Sequence, residues 1–347
     1  KVEINDALAL EGASADGQPS EPSKRVRLGK GLNKIRVEYA SPQKGEAFLR
    51  LEWSSPDFDF EPLPASVVSH EDTDPKLAKA AQRREGRALF VEHRCHKCHT
   101  DIAPETGMLE LAMDAPTFEG IGSRRGETWM RQWILDPQAF RPVARMPRLL
   151  HGPGAEKDAT AIAAYLATLT AISGGESREV PSPDLSDKGA EVFATLHCAA
   201  CHQEPGQHDP MEAKISLRFV NQKFTDGNLM AFLKKPESHY AWIRMPNFRL
   251  SDAEATQLAA FLRSKGAPVA AGARTDEATE ITRGKALVES TGCLNCHSGP
   301  GENQYTVGRG GVKTGCLGGS SEPGLKAPHY LFGVEQLAAL TTFLAGG

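Results

Sequence analysis

Three pentads of the form Cys-x-x-Cys-His fix most of what this chain can be: Cys95–His99 (CHKCH), Cys198–His202 (CAACH) and Cys293–His297 (CLNCH). Each places two thiols within reach of one planar ring and follows them with an imidazole, the spacing used to attach c-type haem. A structural zinc closes with four ligands, and three isolated pairs about a hundred residues apart leave that set incomplete. A thioredoxin-like dithiol needs no His after its second Cys. The spacing therefore points to covalent porphyrin, with Cys95, Cys98, Cys198, Cys201, Cys293 and Cys296 as thioether positions and His99, His202 and His297 as the proximal iron ligands. Of seven cysteines only Cys316 is left over.

The pentads head an internal repeat. A Gly lies nine residues before each first Cys (Gly86, Gly189, Gly284), and an apolar residue lies five before it (Phe90, Phe193, Val288). Four residues apart, the two share one helix face, where the Gly permits close crossing. Each block closes on a second amphipathic segment, Asp158–Leu169, Ser251–Ser264 and Gly333–Leu344, whose aromatics Tyr165, Phe261 and Phe343 each precede a Leu. An opening helix crossed by such a closing helix resembles the class I cytochrome c fold over roughly three-quarters of the chain. That resemblance implies a mainly α fold with three tandem class I cytochrome c domains and three covalently bound haem c groups. The expected boundaries are 76–172, 183–265 and 278–347, with the segments Ser173–Asp187 and Ser264–Ala278 as connectors rich in Gly, Pro, Ser and charge.

The same resemblance supplies sixth ligands. Thr128–Pro147 reads as helix, Asp-Pro turn and Met-Pro, making Met146 the distal ligand of the first haem; Asn228–Pro246 repeats the pattern and gives Met245 to the second. His-Met coordination raises the potential of both. The third block has Ala327-Pro328 where Met-Pro stands in the others, and no Met follows Met245. Cys316, His329 or a vacant position remain for its iron, and either donor lowers the potential of haem 3 relative to the other two.

The first 75 residues are of another kind. Val26 and Leu28, then Ile35, Val37 and Tyr39, then Leu49, Leu51 and Trp53 alternate with period two, which predicts a small antiparallel β module with one buried face. The run from Gly31 to His70 resembles the last strands of the protective-antigen-type β-sandwich domain and covers about half of one. That family can bind carbohydrate, but the run holds no acidic metal-binding cluster, so scaffold or docking surface is the expected role.

The 347-residue chain carries a net charge of −4 with charges scattered singly, so no nucleic-acid partner is expected. No apolar run is long enough to span a bilayer. Haem attachment is completed outside the bacterial cytoplasm, which places the protein in the periplasm or on the extracellular face. The chain opens without a signal sequence, so the signal has been removed or the chain is part of a longer one. The leading expectation is an electron carrier and not an enzyme, relaying single electrons between redox protein partners, an exported dehydrogenase or quinol-oxidising complex and a terminal acceptor. A haem enzyme with haem 3 as its thiosulfate-oxidising or peroxidase-like centre is the alternative. An adhesion or assembly subunit whose haems serve a larger complex, suggested by the incomplete β module, is the third.

Overall fold

A computed structural model describes residues 1–12, 22–41, 43–44, 48–70, 74–99, 114–171, 182–207, 214–238, 240–269, 277–305, 315–317 and 327–345. The chain divides into two units, Lys1–Asp74 and Pro75–Gly347.

In the first unit, β1 (Val2–Ile4) pairs antiparallel with both β2 (Ala7–Leu10) and β3 (Ile35–Val37), giving the order β2-β1-β3. A separate hairpin joins β4 (Glu52–Ser55) to β5 (Phe58–Pro62). The antiparallel reading holds, but its details shift. The alternation at Val26 and Leu28 forms no strand and both side chains are exposed, while the strands at 2–4 and 7–10 had no counterpart in the sequence reading. No described residue of this unit is fully buried, which explains the miss: without a core, alternation has no face to report on.

The second unit is helical. In chain order it contains α1 (Pro75–Glu92), α2 (Ile121–Arg124), α3 (Glu127–Leu135), α4 (Pro137–Phe140), α5 (Ala155–Thr168), α6 (Pro183–Thr195), α7 (Val220–Lys223), α8 (Asn228–Lys234), α9 (Asp252–Lys265), α10 (Ala278–Ser290), α11 (Cys293–Cys296) and α12 (Val334–Leu344). Local chemistry sets several ends. Ser251 caps α9 through a reciprocal pair, its Oγ accepting from the Glu254 amide at 3.3 Å while its own amide donates to Glu254 Oε2 at 2.8 Å. The Asp136 side chain accepts from the Ala139 amide at 3.2 Å, with Pro137 at the first position of α4. Pro183 likewise opens α6 behind Ser182, so helix begins inside the stretch expected to be a connector; residues 172–181 and 270–276 of the two connectors lie outside the described residues.

Three helix crossings of one design hold this unit together. α6 crosses α9, where a Cβ added at Gly189 would lie 2.0 Å from the Gln257 carbonyl oxygen and 2.7 Å from Phe261 Cβ. No side chain fits there, so the backbones meet directly. Phe193 lies tilted on Phe261 at 5.5 Å. The same crossing recurs twice with partners that differ from chain order. A Cβ added at Gly86 of α1 would lie 2.0 Å from the Ala339 carbonyl oxygen of α12, and one added at Gly284 of α10 would lie 1.9 Å from the Ala161 carbonyl oxygen of α5. Phe90 packs on Phe343 at 5.5 Å, and Tyr165 Cβ lies 2.9 Å from the position a Gly284 Cβ would take.

The first opening helix therefore takes the last closing helix, and the third opening helix takes the first. Three apolar clusters follow suit. Val288 and Cys293 join Trp129, Met130, Ile162 and Leu166; Phe193 joins Leu229, Leu258 and Leu262; Phe90 and Val91 join Ala339 and Leu340. Repeated sequence explains why this exchange is sterically open: all three crossings use the same Gly, the same backbone carbonyl approach and an aromatic one turn later, so the pieces are interchangeable.

Candidate metal centres

Each pentad is introduced by a left-handed residue, Arg94 (φ 58°), His197 (φ 54°) and Gly292 (φ 87°), which ends the opening helix and turns the chain. One helical turn follows. The His99 amide donates to the Cys95 carbonyl at 2.8 Å, the His297 amide to Cys293 at 2.9 Å, and the Cys201 amide to Cys198 at 3.2 Å. A single turn puts residues three apart on one side, so both thiols of each pentad face the same way.

Two of the imidazoles are oriented. His297 Nδ1 lies 2.7 Å from the Pro116 carbonyl oxygen, and its ring stacks on Phe118 at 4.5 Å and 12°. His202 Nδ1 lies 3.3 Å from the Ile215 carbonyl, where β6 (His202–Gln203) runs parallel to β7 (Ile215–Ser216). A backbone carbonyl only accepts, so Nδ1 carries the proton in both rings and Nε2 presents its lone pair. That is the tautomer an iron ligand requires, fixed from outside as metal-bound imidazoles are. Burial is the main reason both imidazoles sit below their ordinary pKa, with the carbonyls acting in the opposite sense. The residues thus fit a haem iron.

The thiols speak against the rival chemistry. Burial, with Cys316 nearby, pushes the Cys95 thiol up to about 12, and burial raises Cys98 to about 11; redox-active pairs show the reverse. Among the described residues no group of three or more His, Cys, Asp or Glu side chains is arranged to hold a bare metal ion.

The expected distal residues are distributed as follows. Met245 packs on the α6–α9 core, as does its own pentad's Cys198. Met146 packs on the cluster containing Val288, Cys293 and Leu294, the third pentad's surroundings; Trp133 Nε1 donates to its sulfur at 3.1 Å, and Gln138 Nε2 donates to its carbonyl at 3.1 Å. Cys316 sits in the turn Gly315–Leu317, whose Leu317 packs beside Cys95. The Cys316 thiol lies near Cys95 and Cys98, the latter joined to the third pentad through Asn295. His329 is tied by reciprocal backbone bonds to Arg148, at 3.0 and 2.8 Å, with its ring edge-on to His151.

The first and third pentads adjoin, since Asn295 Nδ2 donates to Cys98 Sγ at 3.1 Å. Cations collect near the middle one. Arg125 stacks over Phe224 at 4.4 Å, and Lys223 lies over Trp129 at 5.6 Å. Burial, reinforced by neighbouring arginines, lowers Arg125 to about 9 and Lys223 to about 7. Sequence reading missed these residues, together with Pro116, Ile215 and Trp133. A backbone carbonyl leaves no side-chain signature, and the cations stand in separate blocks that only folding unites.

No helix among the described residues is long and apolar enough to cross a membrane. No curated protein and no solved structure gives a significant match to the chain. Residues 186–265, which span α6 to α9 with the second pentad and Met245, match the family described as Cytochrome c, and this supports a class I c-type cytochrome with covalently bound haem, an electron-transfer role and redox protein partners.

Proposed function

We propose that the chain is an exported tri-haem c-type cytochrome that relays single electrons between redox protein partners, an exported dehydrogenase or quinol-oxidising complex on one side and a terminal acceptor on the other. The observation that carries this reading is the thrice-repeated sequence of left-handed residue, single turn and imidazole, attached to thrice-repeated Gly-to-carbonyl crossings. The matched segment contains one copy, and the other two copy its geometry.

Haem, when bound, supplies a one-electron couple between ferrous and ferric iron. The protein's part is to hold and insulate. Pro116 and Ile215 fix the His297 and His202 imidazoles, so ring reorientation does not accompany each electron. Phe118, Trp129, Phe193 and Phe224 line the cores beside the pentads and keep water back. Arg125 and Lys223 place positive charge by the middle pentad, suited to the porphyrin's two carboxylates. Met146 and Met245 are the thioethers that would close a bound haem iron to small molecules, which favours carriage over substrate chemistry. The contact between Cys98 and Asn295 keeps two of the attachment sites adjacent, as a relay requires.

Haem stoichiometry tests this directly. Protein isolated from a host competent in cytochrome c maturation is expected to hold three haems per chain that survive acid-acetone extraction, and to be reduced in three one-electron steps. One haem per chain, or colour that leaves with the solvent, would overturn the proposal.

A further inference from the structure

We infer that Met146 is the sixth ligand of the iron carried by His297, so that one haem unit is assembled from residues 115–168 together with residues 278–300, while the first pentad joins the C-terminal segment. This rests on the reading of the pentads as haem attachment sites and goes beyond it, because chain order assigns Met146 to His99.

Apart from the Asn295 bond to Cys98, the third pentad's long-range backbone and ring contacts lead to the earlier segment. The Ala115 amide donates to the Cys296 carbonyl at 2.9 Å and the Phe118 amide to the Ser298 carbonyl at 2.7 Å. Pro116 and Phe118 fix the His297 ring from its protonated side and its face. On the closing side, α10 crosses α5 at Gly284, and Arg283 pairs with Asp158 and donates to the Lys157 carbonyl at 3.1 Å. Met146 packs against the same core, which contains Trp129, Val288 and Cys293, with its sulfur held by Trp133 on α3. Proximal carbonyl, opening helix, closing helix and thioether thus all surround the third pentad.

The first pentad finds the complementary set. α1 crosses α12; Thr342 Oγ1 donates to Gln82 Oε1 at 2.9 Å; and Tyr330 and Phe332 pack edge-on against His93 at 5.4 and 4.8 Å. Residues flanking Met146 also reach this second set of helices. Arg145 pairs with Glu92 of α1, and Arg148 and His329 exchange backbone bonds. Among the described residues, no methionine packs on the α1–α12 core. The thioether, and the raised potential that accompanies it, therefore moves from the first haem to the third.

The assignment is read out without perturbing the fold. In the reduced, fully loaded protein, a haem-ligated methionine methyl is shifted far upfield by the ring current, and its nuclear Overhauser contacts identify the porphyrin beneath it. The Met146 methyl, identified by its loss in Met146→Leu, is expected to contact the haem whose thioether bridges come from Cys293 and Cys296. Contact with the haem bridged by Cys95 and Cys98, or an unshifted Met146 methyl, would overturn the inference.

A second arm uses paired variants. With the first attachment site removed (Cys95→Ala with Cys98→Ala), Met146→Leu is expected to cost one of two thioether–iron absorption signals. With the third removed (Cys293→Ala with Cys296→Ala), the same substitution is expected to change nothing. The reverse pattern restores chain order. Haem counting on the parent protein separates the two levels: fewer than three haems indicts the cytochrome reading, whereas three haems with Met146 over the first indicts only the exchange.

Discussion

At the residue scale, the turn into each pentad is made by a conformation that β-carbons resist, and two of the three positions nevertheless carry a side chain. Arg94 donates to the Tyr240 hydroxyl at 3.1 Å, which gives it a reason to stand there. His197 is exposed. Replacing His197 by Gly is therefore expected to raise the unfolding free energy by about 1 kcal/mol, the cost of left-handed backbone for an ordinary residue less what Gly loses on ordering; urea titration of the loaded protein checks it. The cations make a second case. Lys223 stands at a site where burial and Arg125 disfavour its charge, and among the described residues no carboxylate pairs with it. Its pKa here, about 7, lies below the free value of 10.5, so across that window an unfolded chain binds more protons and raising pH favours the fold until an anion neutralises the site. Porphyrin carboxylates would do so. Lys223→Met is expected to leave three haems in place and to lower the midpoint potential of the haem held by His202, because removing nearby positive charge favours ferric iron; potentiometric titration measures it, and an unchanged potential would place the charge elsewhere.

At the scale of elements, the helix-to-helix crossing was legible and its partners were not. The Gly nine residues before each Cys, the apolar residue four later and the aromatic of the closing helix all meet as their spacing predicts. Which opening helix meets which closing helix depends on differences the motif does not contain, since Gln257, Ala339 and Ala161 each contribute only a carbonyl. The middle block escapes this ambiguity and pairs with itself. In the β module the failure has another origin: exposed Val26 and Leu28 alternate as a strand would, but no second layer buries them. Gly189→Ala, forcing a methyl against the Gln257 carbonyl, is expected to cost about 1–3 kcal/mol. Loss of stability without loss of the first and third haems would localise the effect, and a variant as stable as the parent would deny the crossing its tightness.

For the whole molecule, the exchange makes the ends of the helical unit depend on each other. An engineered protease site following Lys265 offers the direct test. Were the haem domains strung in chain order, cleavage there would release residues 266–347 as a separate coloured fragment. With α10 seated on α5 and α12 on α1, the two pieces are expected to co-elute on size exclusion and to part only in denaturant. The site readings divide the same way: the six proposed thioether positions and three proposed imidazole ligands rest on spacing, whereas the inferred owner of Met146 rests on topology.

One consequence reaches back to biosynthesis. α1 leaves the ribosome long before α12, and its packing partner lies roughly 250 residues downstream, a separation that slows closure. On the proposed reading, the first attachment loop would stay unclosed and open to the enzymes that ligate porphyrin until the last helix arrives, whereas the middle block would be complete as soon as α9 has emerged. The order in which colour is installed would then run from the centre outward, with both terminal units finishing together.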